Sequence, residues 1–280
     1  MPCSIPVHVI SLPRRSDRRA WMKTHLQQIG LPCSFFDATD ARDLHPDQLA
    51  RCYDPARFAL HNPGQPEMTI GLLACTLSHT RLWQQIAASG TPWTLVLEDD
   101  AVFTHRDPTR LLESIAAAAG PNDVVLLNSR TRGVWMRDRI PLGTAGCTLY
   151  HVNAETFLAA AYLISLGAAQ RLTAAVSRDG LVCASDWWHR RDGADWSRII
   201  PIRVAKPDPA EQHTDLGSDI ASQNHNNKYF EFVHDNTHRA VSIFSGLVRD
   251  PRNPRHWLLF VSRLLRRIHG YYFLRPRCVN

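Results

Sequence analysis

Three common signals are missing from this 280-residue chain. No apolar run approaches the roughly 18 to 20 residues that a membrane-spanning helix needs, and no basic stretch leads into a long apolar one at the N-terminus, so neither a transmembrane helix nor a signal peptide is predicted. The seven cysteines show no CxxC spacing, which argues against a zinc or thioredoxin-like motif. Their odd number favours reduced thiols and a cytoplasmic protein.

The composition is that of a basic globular protein. An apolar fraction of 44% is enough for a sizeable core, and the formal net charge is +6. A positive charge favours anionic partners such as nucleotides, phosphates or anionic lipid. The basic residues are not interleaved with aromatics along one continuous surface, so nucleic-acid binding is not expected.

Short apolar runs alternate with segments of helical periodicity. A strand, a basic turn, a helix and a second strand open the chain, which predicts a βαβ unit and a nucleotide-binding α/β fold. The predicted strands are 7–12, 34–38, 93–97, 123–128, 162–165 and 199–204, and the predicted helices are 17–29, 71–89, 108–119, 167–176 and 255–268. Residues 44–67, rich in Pro, Asn and Gly, predict a long irregular region, and 207–240 predict a loop.

The most informative motif is a triplet of acids, Glu98-Asp99-Asp100, directly after the apolar run 93–97. Adjacent carboxylates repel one another unless a positive group lies among them. A divalent cation that bridges carboxylates to a substrate's phosphates is one explanation, and a solvated acidic turn is the other. Ligands of open α/β sheets bind at the carboxyl ends of strands, where this triplet falls.

An ordered set of short segments resembles glycosyltransferase family 25, the family of bacterial lipooligosaccharide galactosyltransferases and of collagen galactosyltransferases. The set extends over roughly residues 7 to 220. Its members are Val9-Ile10-Ser11-Leu12 with Arg14 and Asp17-Arg18-Arg19, Phe36-Asp37-Ala38, Ile70-Gly71 with Leu77-Ser78-His79 and Leu82-Trp83, Leu95 to Asp100, Tyr162-Leu163-Ile164-Ser165 with Ala168, and Ser185-Asp186-Trp187.

The resemblance implies a GT-A-like nucleotide-binding fold in residues 1–220, with a mixed, mostly parallel central sheet and flanking helices. It also implies a UDP-sugar donor, usually UDP-galactose, and a divalent metal, Mn²⁺ or Mg²⁺. The acid triplet then corresponds to a variant of the DxD motif. Asp100 is the expected main metal ligand, with Asp99 in support and His213 completing the shell.

The resemblance also assigns residues to the donor nucleotide sugar. Arginine offers planar donors suited to phosphate or uracil oxygens, and an acid after the second strand commonly contacts a ribose. A solvated basic turn, a turn cap and a satisfied structural histidine are the competing interpretations. The expected donor-binding residues are Ser11, Leu12, Arg14, Arg18, Asp37, Ser78, His79, Asp99 and Gln212.

Asp186 is the candidate general base. Inverting sugar transfer needs a carboxylate that takes the proton of the acceptor hydroxyl, and the family pattern has an Asp here. The following pair, Trp187-Trp188, offers aromatic surface for stacking on a sugar. The competing interpretation is a helix N-cap at 185–186, and Asp179 and Asp192 are nearby alternatives to Asp186 as the base.

The C-terminal region 221–280 is predicted to be a basic extension that carries the amphipathic helix 255–268. Apolar and Trp residues alternate there with Arg, a pattern that suits peripheral contact with an anionic membrane, and packing on the protein's own core is the alternative. The bacterial branch of the family implies a saccharide acceptor on a surface glycolipid. This predicts a cytoplasmic enzyme that can work at the inner face of the membrane.

The chain departs from the family pattern at a few positions. Ser11 stands where the family often has Asn, and Ala41 where it often has Gly, so the donor sugar stays open. Residues 130–151 have no counterpart and suggest an acceptor loop. A sugar nucleotidyltransferase is the alternative enzyme, although it normally carries a Gly-rich phosphate loop and only Pro13-Arg14-Arg15 follows the first strand. A non-catalytic anion- or membrane-binding protein is the third interpretation.

Overall fold

The apolar runs of the chain pair into one large mixed sheet. The computed structural model describes residues 5–65, 67–213 and 276–277. Within residues 7–206 the sheet order is β7-β8-β11-β5-β10-β3-β1-β2. Its strands are β1 Val7–Ser11, β2 Ser34–Asp37, β3 Trp93–Glu98, β5 Val124–Leu126, β7 Val134–Pro141, β8 Thr148–Val152, β10 Ala161–Ser165 and β11 Ile202–Lys206.

Within residues 101–212, two small antiparallel pairs accompany the large sheet. In one, β4 (Ala101–Phe103) pairs with β12 (Ala210–Gln212), and in the other β6 (Arg130–Thr131) pairs with β9 (Thr156–Phe157). A further two-residue strand, β13, covers Pro276–Arg277.

Six of these eight strands of the large sheet run in the same direction. The pairs β1–β2, β1–β3 and β5–β11 are parallel, whereas β10 is antiparallel to β3 and β5, and β8 is antiparallel to β7 and β11. The predicted α/β fold with a mixed, mostly parallel sheet is confirmed. The carboxyl ends of β1, β3, β5 and β11 therefore meet at one edge, where ligands of such sheets bind.

Over the described part of the chain, six α-helices flank the sheet: α1 Ser16–Gln28, α2 Pro46–Cys52, α3 Pro55–His61, α4 Ile70–Ser89, α5 Pro108–Ala118 and α6 Leu166–Asp179. Single 3₁₀ turns lie at Ala41–Asp43, Gly143–Ala145 and Trp196–Arg198. The longest, α4, begins where the Thr69 side chain accepts a hydrogen bond from the Leu72 amide. It ends at Gly90, whose φ of 72° favours glycine.

The sheet separates two hydrophobic cores, because alternate residues of a strand point to opposite faces. Val96 and Tyr162 lie in the core that also holds α4 and α6, whereas Leu95, Leu97 and Leu163 lie in the core that holds α1 and α5. Both faces of the central strands are covered, which explains why their sequences are continuous apolar runs.

The prediction of an irregular region at 44–67 is wrong, since α2 and α3 lie within it. Each helix is only seven residues long, too short for clear periodicity. A signal was nevertheless present, because Asp54 precedes Pro55 and its side chain accepts hydrogen bonds from the Ala56 and Arg57 amides.

Other boundaries shift by a few residues. The late strand predicted at 199–204 is found at Ile202–Lys206, and β12 lies inside the predicted loop 207–240. The rest of that loop and the helix predicted at 255–268 lie outside the described residues.

The chain divides into two units, residues 1–218 with 278–280, and residues 219–277. The division at residue 220 into a catalytic domain and a basic extension stays a prediction. Over the described residues, every helix is too short or too polar to cross a bilayer.

Candidate active site

The acid triplet lies at the carboxyl edge of the sheet, where β3 ends. Leu95, Val96 and Leu97 before it are fully buried and hold β3 in the middle of the sheet, so Glu98 emerges at the edge. Asp99 and Asp100 form the turn into β4. The pairing of β4 with β12 fixes this turn, and the His213 amide donates to the Asp100 carbonyl at 2.7 Å.

Asp99 is neutralised by residues from β1 and α1. The Arg18 guanidinium lies 2.5 Å from one carboxylate oxygen, and the Ser11 hydroxyl donates to the other at 2.7 Å. All three residues are buried. The structure thus brings together three residues predicted to bind the donor, and they bind one another. Their contacts with a donor stay predictions.

Asp100 is the acid of the triplet whose charge is poorly compensated. Its Oδ1 is buried and finds no hydrogen-bond partner in the described part of the chain, while the Gln212 side chain donates to the carboxylate. Burial, and then repulsion by Glu98, raises the pKa of Asp100 to about 7, against the opposing effect of Arg18. A buried carboxylate oxygen without a partner, beside a second acid, fits the donor set of a hard divalent cation.

A chain of hydrogen bonds leads from the core to Glu98. The Trp83 indole donates to the Tyr162 hydroxyl oxygen at 2.9 Å, and this hydroxyl lies 2.8 Å from Nδ1 of His79. Nε2 of His79 lies 3.2 Å from Glu98 Oε1. Because the indole can only donate, the network favours a Tyr162 hydroxyl that donates to Nδ1 and an Nε2–H that donates to Glu98. His79 is fully buried and held on both sides.

Asp186 reaches the same site from a loop after α6. The preceding Ser185 is attached to α4, because its amide donates to the Thr76 hydroxyl at 3.2 Å and its own hydroxyl lies 3.8 Å from Cys75 Sγ. No helix begins at 185–186, so the N-cap interpretation is wrong. In the described residues Asp186 Oδ1 is buried without a hydrogen-bond partner.

The electrostatics of Asp186 resemble those of Asp100. Burial, followed by repulsion from Glu98, raises the pKa of Asp186 to about 6. Glu98 thus acts on both aspartates, and three carboxylates, Glu98, Asp100 and Asp186, share one site. The arrangement suits a bound cation together with a carboxylate that accepts a proton near neutral pH.

The tryptophans after Asp186 are part of the core, and the prediction that they stack on a sugar is wrong. Trp187 and Trp188 are both buried. The Trp188 indole donates to the Leu158 carbonyl at 2.7 Å, and the Arg190 guanidinium lies 3.9 Å from the ring centroid of Trp187. Their function in this fold is to hold the Asp186 loop.

The predicted donor residues at the ends of β1 and β2 form an exposed basic and acidic rim. Arg14 donates to Asp40 at 2.7 Å, and Arg19 donates to Asp37 at 2.6 Å. The Leu12 carbonyl accepts from the amide of the following turn. These groups line the carboxyl edge of β1, and their role in nucleotide binding stays a prediction.

Two predicted residues have contacts within the fold. The Ser78 hydroxyl donates to the Ala74 carbonyl at 2.7 Å and accepts from the Thr39 amide at 2.9 Å, which attaches α4 to the loop after β2. The His213 ring packs edge-on against Trp21, with ring centroids 5.2 Å apart. Donor binding by Ser78 and metal binding by His213 stay predictions.

The sequence interpretation missed two site residues, Cys75 and Tyr162. Cys75 Sγ belongs with His79 and Glu98 to a group whose potential ligand atoms all lie within 4.8 Å of one another. The spacing of Cys75 and His79, four residues apart on a helix, was a usable signal. Tyr162 lies on a strand, and its contact with His79 depends on the tertiary fold.

Comparison with known proteins agrees with the fold. The model of "Glycosyltransferase family 25 (LPS biosynthesis protein)" matches residues 4–186. A "Glycosyltransferase 25 family member" from Aedes aegypti is 28% identical over 169 residues, 59% of this chain and 27% of that protein. "Procollagen galactosyltransferase 1" from Danio rerio is 29% identical over 172 residues, 59% of this chain and 28% of that protein.

The relatives also include proteins named as inactive. "Inactive glycosyltransferase 25 family member 3" from Mus musculus is 28% identical over 179 residues, 60% of this chain and 28% of that protein. The chain spans less than a third of the length of each of these three relatives. Since the family model covers most of the chain and includes both the acid triplet and Asp186, this protein belongs to glycosyltransferase family 25.

Proposed function

We propose that this protein is an inverting, metal-dependent hexosyltransferase that moves galactose from UDP-galactose to a saccharide acceptor. The observation that carries the proposal is the buried Asp100 oxygen without a hydrogen-bond partner among the described residues, in a site shared with Glu98 and Asp186. The name of the Danio rerio relative supports galactose as the first sugar to test.

Asp100 is the proposed main ligand of Mn²⁺ or Mg²⁺, with Asp99 and His213 as further candidates. A divalent cation at Asp100 would neutralise the negative charge that develops on the departing diphosphate. The ion pair with Arg18 and the hydrogen bond from Ser11 fix Asp99, and therefore fix the turn that presents Asp100. Gln212 orients the Asp100 carboxylate from the other side.

Asp186 is the proposed general base. With a pKa of about 6 it is mostly ionised at neutral pH, yet it is more basic than an ordinary aspartate. In the transfer the acceptor oxygen attacks the anomeric carbon, its proton passes to Asp186, and the bond from that carbon to the diphosphate oxygen breaks. Attack opposite the leaving group inverts the anomeric centre.

The donor is proposed to lie along the carboxyl ends of β1 and β2. Ser11 ends β1 there and Leu12 follows it, and the Arg14 guanidinium is the proposed diphosphate contact. Asp37 is exposed at the end of β2 and is the proposed ribose contact. His79 supports this pocket through Glu98.

The acceptor is proposed to be a saccharide on a bacterial surface glycolipid. The family description, an LPS biosynthesis protein, supports this choice. Such an acceptor fits a cytoplasmic enzyme at the inner membrane face, with the segment 255–268, whose sequence predicts an amphipathic helix, as the proposed peripheral contact. The segment 130–151, which forms the antiparallel strands β7 and β8, is the proposed acceptor-binding element.

The inactive relatives make a non-catalytic protein the second candidate. A screen of UDP-hexoses with and without Mn²⁺ separates the two, with UDP release and product stereochemistry as readouts. We expect Mn²⁺-dependent transfer from UDP-galactose that Asp100→Asn removes. Mn²⁺-dependent UDP-sugar binding without turnover on any saccharide would favour the non-catalytic candidate, and the absence of both would overturn the proposal.

A further inference from the structure

Helix α4 places a thiol and an imidazole one turn apart beside the acid triplet. Cys75 and His79 are four residues apart and therefore lie on the same face of the helix. The Cys75 sulfur, a His79 ring nitrogen and a Glu98 oxygen lie within 4.8 Å of one another. Cys75 and Glu98 are half-buried, so solvent reaches the group, whereas His79 is fully buried.

This donor set differs in chemistry from the one around Asp100. Sulfur and imidazole ligands select softer ions, whereas Mg²⁺ and Mn²⁺ are best served by carboxylate oxygens. A nitrogen and an oxygen ligand on one tetrahedral zinc ion are separated by about 3.3 to 3.5 Å. His79 Nε2 and Glu98 Oε1 are 3.2 Å apart, close to that spacing before any ion binds.

A separate observation gives a further carboxylate near this group, outside the 4.8 Å set. Asp186 Oδ1 is buried without a hydrogen-bond partner in the described residues. Its neighbour Ser185 contacts Cys75, and the charges of Glu98 and Asp186 both act on the Cys75 thiol. A thiolate, an imidazole and two carboxylates can complete a tetrahedral shell.

We propose that Cys75, His79 and Glu98, joined by Asp186, form a binding site for a thiophilic divalent cation of the Zn²⁺ class, and that its occupation blocks sugar transfer. Binding releases the Cys75 thiol proton to solvent and requires Nε2 of His79 to be unprotonated. Ion binding therefore requires the tautomer opposite to the one that the metal-free network favours. The imidazole proton moves from Nε2 to Nδ1 and is donated to the Tyr162 oxygen, and the Tyr162 O–H turns away from His79. Inhibition follows because the bound ion engages the carboxylates of Asp186 and Glu98. The inhibitory role, unlike the binding site, rests on the proposed function.

Binding is tested on the full-length, metal-free protein with Co²⁺ as a spectroscopic probe and no nucleotide present. We expect one Co²⁺ per chain that shows a thiolate charge-transfer band and the intense visible bands of tetrahedral cobalt, displaceable by Zn²⁺. Cys75→Ser should lose the charge-transfer band and bind Zn²⁺ at least about tenfold more weakly. Cys33→Ser, a change of a half-buried free thiol on the loop before β2, should retain both.

Inhibition is tested by assaying sugar transfer by the same variants. One equivalent of Zn²⁺ should inhibit Mn²⁺-dependent transfer by the wild type and by Cys33→Ser, but not by Cys75→Ser. A wild type without the charge-transfer band, or a Cys75→Ser variant that keeps it, would overturn the site. Zinc inhibition that persists equally in Cys75→Ser would overturn the inhibitory role. If the protein shows the charge-transfer band but transfers no sugar, the proposed function is rejected and the metal site stands.

Discussion

Arg18 and Asp99, 81 positions apart in the chain, form a buried ion pair with 2.5 Å between guanidinium nitrogen and carboxylate oxygen. Their side chains are only 7% and 10% exposed. The pair divides the acid triplet into an acid that is neutralised inside the protein and two, Glu98 and Asp100, that are not. A motif of three identical charges therefore contains carboxylates in different electrostatic environments.

The first prediction concerns this ion pair. Arg18→Met leaves the Asp99 carboxylate buried without its cation, which should lower the free energy of unfolding by about 3 to 5 kcal/mol. Urea unfolding followed by circular dichroism measures the change. Arg178→Ala, which breaks an exposed ion pair with Asp179, should leave the urea concentration at the unfolding midpoint almost unchanged. Equal effects of the two substitutions would contradict a dominant role for the buried pair.

The second prediction is that the proposed metal ligand destabilises the metal-free protein. The pKa of Asp100 is raised from 3.8 to about 7, so the folded chain retains a proton that the unfolded chain releases. The free energy of unfolding therefore falls as pH rises through this range. Asp100→Asn should raise it by about 1 to 2 kcal/mol at pH 8 in EDTA, while Mn²⁺-dependent activity is lost.

The control for Asp100→Asn is an aspartate whose pKa is shifted in the opposite direction, downward. The Arg178 guanidinium lowers the pKa of Asp179, so Asp179→Asn should not stabilise the protein at pH 8. Thermal unfolding of the wild type and the two variants in the same buffer measures the difference in stability. A metal-free Asp100→Asn protein that melts below wild type would show that Asp100 stabilises the fold.

The third prediction concerns the proposed base. Asp186→Asn should reduce kcat by about 10²- to 10⁴-fold, while the KM for the donor changes little. Because the base must be ionised, kcat/KM of the wild type should fall as pH drops below about 6. Asp192→Asn, at an exposed position of the same loop, should behave as wild type. A pH profile without an acidic limb, together with an active Asp186→Asn enzyme, would reject this assignment.

The fourth prediction tests the hydrogen-bonded chain behind Glu98. Tyr162→Phe removes the hydroxyl that contacts both Trp83 and His79, and leaves two buried polar groups unpaired. We expect a loss of about 1 to 3 kcal/mol in the free energy of unfolding. Tyr150→Phe on β8 is the control, because Tyr150 is only partly buried. Chemical denaturation of both variants gives the comparison, and equal losses would count against the chain of hydrogen bonds.

The elements that the sequence predicts best are those buried on both faces. The runs that become β1, β3 and β10 are continuous and apolar because helices cover the sheet on both sides, so local composition is sufficient to find them. By contrast, α2 and α3 are short helices stabilised by caps and tertiary contacts, and periodicity could not reveal them.

The sequence predicts which acidic residues belong to the site, but it does not predict which of them is paired with a cation. The triplet and Asp186 stand out as residue types in a pattern, and the fold brings Glu98, Asp100 and Asp186 into one site. Which acid is neutralised depends on Arg18, a contact between distant parts of the chain. The burial of Trp187 and Trp188 likewise depends on packing that no local pattern reports.

The position of β11 has a consequence for the preparation of a minimal fragment. The family match ends at residue 186, yet β11, at Ile202–Lys206, lies between β5 and β8 in the interior of the large sheet. A fragment cut at residue 186 would lack β11, leave the edges of β5 and β8 unpaired and expose apolar surface. Such a fragment is expected to aggregate. The smallest fragment worth expressing extends through residue 213, because β12 and the 213 amide also hold the acidic turn in place.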